Sequence, residues 1–339
     1  MNDDDRYSRQ VAYSKIGAVG QERLSASSIA VVGIGALGTV IANCLARAGV
    51  GRLRLIDRDY VELSNLQRQS IFTEDDARSG LPKAEAAALR LAAVNSGIVI
   101  EPVIADVNGG SAERLLSGVD VVVDGSDNFE VRYVVNDACL RLGIPWVYGG
   151  ALMDSGVTMN ILPGSGPCLR CLLPDPPAAG SQQTCASAGV LNMITGVIGS
   201  IEAAEAMKLA LGSPEVRKTF LSINLWDSSF HEIEIGRDAE CPACTHGRFD
   251  FLGGPRGTCT VSLCGRDSVQ VSPPEGTVVD FDAVAARLRP LGEVKTSKFM
   301  LTFSSPRRDI RLFGDGRAII TGVSDESQAK SIYSDYIGI

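Results

Sequence analysis

With 339 residues, 45% of them hydrophobic and 21% charged, the chain can bury a sizeable core in two or three domains and is too apolar to be disordered. A net charge of −8 and a pI near 5.0 give no electrostatic basis for general nucleic-acid binding or for a basic membrane-surface helix. Nine cysteines, an odd number without an export signal, argue against a disulfide framework and for a reducing, cytoplasmic compartment.

The start, MNDDDRYSRQ, is polar and acidic, unlike a secretory signal or a transit peptide. Ile29–Val32 reads as a short apolar strand running into the turn GIGALG at 33–38, followed by a helix over Thr39–Ala48. Leu53–Ile56 is a second strand ending at Asp57, which completes a βαβ unit. Lys83–Val94 is a helix stopped by Asn95-Ser96-Gly97. Val99–Ile104, Val119–Val123 and Pro145–Tyr148 are further strands, apolar without alternation, as in a parallel sheet covered on both faces. The second of these runs into DGSDN at 124–128, and Tyr133–Leu142 reads as helix. From Leu162 to Ser187 the chain is rich in Pro, Gly and Ser, a loop region. Ala188–Gly212 is apolar but interrupted by Glu202, Glu205 and Lys208, so a buried amphipathic helix is expected rather than a membrane span.

Strands near Phe220–Trp226 and Phe230–Ile235 follow, then CPAC at 241–244 and a linker at Gly253–Gly257. A separate β/α pattern closes the chain: strands at Thr260–Leu263, Phe299–Phe303, Ile310–Phe313 and Ala318–Thr321, helices at Phe281–Arg289 and Asp325–Tyr336, and a turn at Asp315-Gly316. The expected fold is a Rossmann-like doubly wound α/β sheet with mainly parallel strands over residues 1–252, plus a small α+β module over 258–339.

Gly33, Gly35 and Gly38 allow a tight turn and close approach of backbone N–H groups to phosphate. Asp57, 19 residues past Gly38, is placed to accept from ribose hydroxyls. This pattern alone does not separate NAD from ATP. The polar run that follows, DRDYVELSNLQRQ at 57–69, exceeds what hydride transfer needs. Transfer of AMP to a carboxylate calls for cationic and donor groups around a triphosphate, and for a hard divalent cation held by carboxylate and phosphate oxygens. Asn65 and Arg68 face the same way if the run is helical, and Lys83 opens the next helix, where its charge adds to the positive end of the dipole. Asp127 sits just past the C-terminal end of a parallel strand, the edge where such sheets bind ligands. Taken singly, Lys83 reads as a solvated surface residue and Asp127-Asn128 as a turn; together they favour adenylyl transfer.

Cys168-Leu169-Arg170-Cys171 and Cys241-Pro242-Ala243-Cys244 are two CxxC pairs, 69 residues apart. They suit a closed tetrahedral Zn²⁺ site, with a redox pair, inert thiols, or His246 as a substitute ligand as the alternatives. Cys185 stands alone in the loop before the Ala188–Gly212 helix, where a helix N-terminus lowers a thiol pKa; packing under the helix is the other reading.

These stretches resemble the ThiF/MoeB family, bacterial relatives of the ubiquitin-activating enzymes: RYSRQ at 6–10, GIGALG, DRDYVELSNLQRQ, Lys83-Ala84 and DGSDN, in that order, with the likeness running from Arg6 to Cys244. The resemblance implies ATP-dependent adenylylation of the C-terminal Gly-Gly carboxylate of a small β-grasp sulfur-carrier protein. It assigns ribose contact to Asp57, phosphate contact to Asn65, Arg68 and Lys83, and Mg²⁺ to Asp127; Asp59, Gln69 and Asn128 join Gly33, Gly35 and Gly38 around the nucleotide. It further implies a homodimer in which Arg9 reaches the partner's ATP, a Cys₄ zinc knot, a role for Cys185 in sulfur loading, and a cysteine desulfurase or other sulfur donor as a second partner. The C-terminal module lacks a rhodanese-type cysteine loop and ends in YIGI, so neither a sulfurtransferase nor a fused carrier is expected; ThiF-like members of similar length carry comparable extensions, so the resemblance favours the thiazole branch. The alternatives are a MoeB-like enzyme of the molybdopterin branch, an NAD-dependent oxidoreductase with structural zinc, and a non-catalytic scaffold.

Overall fold

Segments of Val, Ile and Leu without polar alternation form the interior strands of an eight-stranded sheet in the order β3-β2-β1-β4-β5-β6-β7-β8. The computed structural model describes residues 6–177, 188–253, 259–262, 268–273, 277–306, 308–323 and 325–337. β1 (Ser28–Val32) is central, paired in parallel with β2 (Arg52–Ile56) on one side and β4 (Val121–Asp124) on the other. β3 (Val99–Val103) extends the sheet beyond β2, and β5 (Trp146–Leu152) lies beside β4. Alternate residues feed two cores. Ile29, Val31, Leu53, Leu55, Val121 and Val123 pack on one face, while Ala30, Val32, Ile56 and Val122 join Tyr133 and Trp146 on the other.

Strand order reverses between β1 and β4, so the turn after β1 and the loop after β4 flank a crevice at the carboxyl ends of the strands. Behind the first core face, helix α3 (Ala36–Ala48) packs against the long helix α9 (Asn192–Leu211). A Cβ on Gly199 would come within 3.0 Å of Val40 Cβ and 3.1 Å of Leu37 O, so glycine permits this close crossing. Earlier and intervening helices are α1 (Ser8–Val11), α2 (Gly17–Ala26), α4 (Glu74–Ser79), α5 (Lys83–Val94), α6 (Ala112–Leu116), α7 (Phe129–Leu142) and α8 (Leu169–Leu172).

Two features depart from the sequence reading. β6 (Ser155–Ile161), absent from it, pairs antiparallel with β5, and the sheet then continues antiparallel through β7 (Phe220–Asn224) and β8 (Ser229–Ile233). The β5–β6 turn carries no glycine; Met153 itself adopts φ 54°, so the usual hairpin signature is missing. Helix α9 begins at Asn192 rather than Ala188, because Gly189 and Val190 run beside Met153 instead: Met153 N donates to Gly189 O at 3.0 Å and Leu191 N to Met153 O at 2.7 Å.

Among the described residues, no helix is long and apolar enough to cross a membrane. The acidic interruptions of α9 are themselves buried. Glu205 is satisfied by Asn160 Nδ2 (2.6 Å), Arg217 N (2.9 Å) and Lys208 Nζ (2.6 Å). Glu202 is not: it is fully buried against Gly149, with neither carboxyl oxygen hydrogen-bonded. Burial pushes its pKa well above the usual carboxyl value, with Asp124 adding in the same direction against the weaker pull of Arg132 and Arg217. The folded state therefore keeps a proton that the unfolded chain releases above pH 4.5, the ordinary glutamate value. Stability is complete below that pH and falls by about 1.4 kcal/mol per pH unit as pH rises towards the folded pKa. Glu202→Gln cannot titrate, so its urea midpoint should decline less than wild type between pH 5 and 8 and be the higher of the two at pH 8. Parallel declines would assign the slope to other groups.

The chain separates into two compact units, Met1–Gly253 and Gly254–Ile339. The second is a six-stranded antiparallel sheet, β11-β12-β13-β14-β10-β9, formed by β9 (Cys259–Ser262), β10 (Ser268–Ser272), β11 (Glu293–Thr296), β12 (Met300–Ser305), β13 (Arg308–Phe313) and β14 (Ala318–Thr321). Val269, Leu301, Phe303, Ile310 and Ile320 pack with residues of helices α10 (Phe281–Leu288) and α11 (Glu326–Tyr336). Asp280 and Asp325 cap the two helices, and the turn at Gly316 has the positive φ (80°) that glycine accommodates. β10 and the charged edge strand β11 are additional to the sequence reading, being too short to show a clear period.

Candidate functional site

The turn after β1 and the loop after β4 interlock through glycine. Gly33 has φ 86°, and a Cβ there would lie 2.7 Å from Gly125 O; one on Gly38 would lie 1.9 Å from Gly33 O. Gly35 differs: its nearest neighbours, Gly125 O at 3.6 Å and Gln69 Nε2 at 4.0 Å, leave ordinary contact distances.

Asp57, at the end of β2, accepts from Ile34 N at 2.6 Å and Asp59 N at 2.7 Å, so one carboxylate ties the glycine turn to the polar run. Burial pushes its pKa up, while Lys83 pulls the other way. The lysine is not a solvated surface residue. It is 5% exposed, its Nζ 3.2 Å from Asp59 Oδ2 and its backbone N donating to Asp59 O at 2.8 Å. Burial drags its pKa down, but the charges of Asp59, Asp57 and Asp127 outweigh that and hold the ammonium above the usual lysine range.

Within the polar run only Leu63–Asn65 is helical, as a 3₁₀ turn. Asn65 is buried there, its Oδ1 accepting from Glu62 N at 3.0 Å. Arg68 is part-exposed; Nη1 donates to Ser64 O at 3.1 Å, and no carboxylate among the described residues pairs with it. Gln69 is 4% exposed, and its buried Oε1 has no hydrogen-bond partner. Its Nε2 is the atom that faces Gly35, so a buried amide with one unmet acceptor stands next to the open glycine turn.

In the loop after β4, Asp124 accepts from Ser126 N and Oγ, and Asn128 caps α7 by accepting from Glu130 N at 2.8 Å. Asp127 is exposed, and its side chain makes no hydrogen bond among the described residues. Its charge nonetheless acts on Lys83, Arg58 and Arg132. Arg9 lies on α1, outward and exposed, while its neighbours hold the arm down: Arg6 Nη1 donates to Val94 O, Gln10 Nε2 to Ala48 O, and Asn95 Nδ2 to Tyr7 OH.

Asp124 and Arg132 were not expected as site residues. Both are buried and paired at 3.0 Å. The legible signal is an arginine four residues after a helix N-cap, between the apolar Val131 and Tyr133.

The four expected cysteine ligands converge: the Sγ atoms of Cys168, Cys171, Cys241 and Cys244 all lie within 4.8 Å of one another. Two of the sulfur pairs, Cys168–Cys241 and Cys171–Cys244, are 3.6 and 3.4 Å apart, near the separation of about 3.8 Å that tetrahedral Zn–S bonds impose and too far for a disulfide. Burial first, then the neighbouring sulfurs, push the Cys168 thiol up, an arrangement a dication would reverse. His246 instead sits 3.5 Å from Glu240. Cys185 lies outside the described residues.

Fold and site together define a doubly wound nucleotide-binding protein with a Cys₄ knot. The ThiF family model matches residues 7–243, and the chain belongs to the ThiF family of adenylyltransferases. Among its relatives, the sulfur carrier protein ThiS adenylyltransferase of Bacillus subtilis is 40% identical over 337 residues, covering 98% of this chain and 99% of its own. The SAMP-activating enzyme E1 of Haloferax volcanii is 42% identical over 249 residues, covering 73% of this chain and 91% of its own. Among solved structures, Escherichia coli MccB with ATP superposes with a TM-score of 0.62 at 25% identity, covering 71% of this chain and 74% of that one.

Proposed function

We propose that the protein uses ATP to adenylylate the C-terminal Gly-Gly carboxylate of a small β-grasp carrier of the ThiS type, releasing pyrophosphate, and so serves sulfur transfer in thiazole formation. The observation that carries this reading is coverage. The likeness to the Bacillus subtilis ThiS adenylyltransferase runs through the C-terminal unit, whereas that to the Haloferax volcanii enzyme covers 73% of the chain.

The residues fit the reaction. The glycine turn offers backbone N–H groups to phosphate beside Gly35. Asp57 uses one acceptor site on each oxygen, which leaves lone pairs for a ribose hydroxyl. Gln69, whose Nε2 faces Gly35, carries a buried acceptor without a partner among the described residues. Arg68, with no carboxylate partner, is a charge available to the triphosphate, and the buried Lys83 ammonium balances charge that moves onto pyrophosphate. Mg²⁺, held by Asp127 and phosphate oxygens, would supply further neutralisation. Zn²⁺ in the Cys₄ knot is structural, joining segments without taking part in chemistry. A homodimer would bring the exposed Arg9 of one subunit to the other's ATP, and Cys185 would take part in sulfur loading after adenylation.

ATP–pyrophosphate exchange with purified carriers tests the proposal. Exchange should depend on the Gly-Gly terminus and be at least tenfold faster with a ThiS-type than with a MoaD-type carrier. The reverse preference moves the protein to the molybdopterin branch, and NADH binding without exchange removes adenylyl transfer altogether.

A further inference from the structure

Arg132 is a buried cation that the proposed reaction does not use. It stands on the first turn of α7, 6% exposed, its guanidinium carbon 5.2 Å from the Phe129 ring centroid and 5.3 Å from that of Tyr148. Nε donates to Asp124 Oδ2 at 3.0 Å, while Nη2 donates to Ser126 O at 2.8 Å and Gly149 O at 2.9 Å. One planar group thus joins the end of β4, the loop after it and the middle of β5. A lysine, a point charge on a flexible stem, cannot reproduce that fork.

The Ser126 carbonyl belongs to the peptide unit that leads into Asp127. Holding its oxygen fixes the plane of that peptide, and with it the position of the Asp127 Cα from which the side chain leaves the backbone. The rest of the loop is pinned from other sides. Gly125 N donates to Val32 O at 2.7 Å, and a Cβ on Gly125 would lie 2.2 Å from Gly33 O, so backbone is packed against backbone there. Asp124 and Ser126 satisfy each other, and Asn128 is spent on its cap. Among the described residues, Asp127 is the acidic side chain of this loop left without a hydrogen bond.

We infer that Arg132 is the positioning residue that aims Asp127 at the divalent cation of a metal–nucleotide complex. This rests on the reading of Asp127 as the metal carboxylate. Groups that orient a metal-binding carboxylate change metal affinity by about 10–100-fold when removed. Arg132 touches neither nucleotide nor metal in this reading, so its loss acts on the cation and spares the nucleotide pocket.

Binding of the ATP analogue AMPCPP to the full-length protein, measured at graded Mg²⁺, separates the possibilities. For Arg132→Lys and Arg132→Gln, affinity without metal should stay within about twofold of wild type, while the Mg²⁺ concentration giving half the metal-dependent gain rises about tenfold or more. Because Arg132→Gln leaves Asp124 buried and unpaired, the double variant Asp124→Asn/Arg132→Gln, which buries no unpaired charge, provides the folded comparison and should show the same shift. An unchanged Mg²⁺ midpoint in a folded variant overturns the inference. So does an equal loss of affinity with and without metal, which would mean that Arg132 supports the pocket as a whole. Asp127→Asn reports separately on the underlying reading: if its Mg²⁺ dependence matches wild type, Asp127 does not hold the cation and both ideas fall.

Discussion

Replacing Asp127 with alanine is expected to reduce carrier-dependent ATP–pyrophosphate exchange by about a hundredfold to a thousandfold, the scale seen when a group that stabilises developing charge is removed. The melting temperature should stay within about 2 °C of wild type, because an exposed side chain without hydrogen bonds contributes little to the fold. The electrostatics favour the same separation. Asp127 helps to hold the Lys83 ammonium above its ordinary range, but Asp59 and Asp57 do so more strongly, so the lysine remains charged in the variant. Near-wild-type exchange in Asp127→Ala would remove the carboxylate from the reaction and leave Lys83 and Arg68 to account for phosphate binding alone.

Cys171→Ser is expected to act in the opposite order, on stability before chemistry. A closed thiolate site contributes its metal-binding free energy to folding, and loss of one ligand costs about 4 kcal/mol or more. In a unit of this size about 1 kcal/mol corresponds to about 2–4 °C, so the melting midpoint should fall by about 10 °C. Chelation of the wild-type protein should reproduce the drop, and metal analysis should show about one zinc per chain lost with it. Unchanged melting after complete removal of zinc would overturn a structural role.

The parts of this protein legible in its sequence are those with a strong local signature. GIGALG between a strand and a helix placed the turn, and two CxxC pairs placed a cluster that closes across 69 intervening residues. Apolar runs without alternation announced a sheet covered on both faces, and the structure divides their side chains between two cores. Long-range polarity was not legible. Lys83 reads in isolation as a surface lysine, and only the fold brings it into burial with Asp59. Asp124 drew no reading of its own within DGSDN, yet it is buried and committed to Arg132. β6 was hidden because Met153, not glycine, takes the positive φ at its turn, and because its Gly156 accommodates Ile198 of α9, whose atoms would lie 2.4 Å from a Cβ. Such features depend on what a segment meets rather than on what it contains.

Helix α7 spans Phe129–Leu142, so at about 1.5 Å per residue it is a rod of roughly 21 Å. One end begins at the loop bearing Asp127. From its second turn through its middle, Tyr133 OH donates to Leu173 O and Asp175 O, Asn136 Oδ1 accepts from Leu169 N at the cysteine knot, and Asp137 Oδ2 accepts from Phe251 N. The knot and the segments flanking it therefore splint α7 from its second turn onward, and the loop carrying Asp127 leads directly into that braced helix.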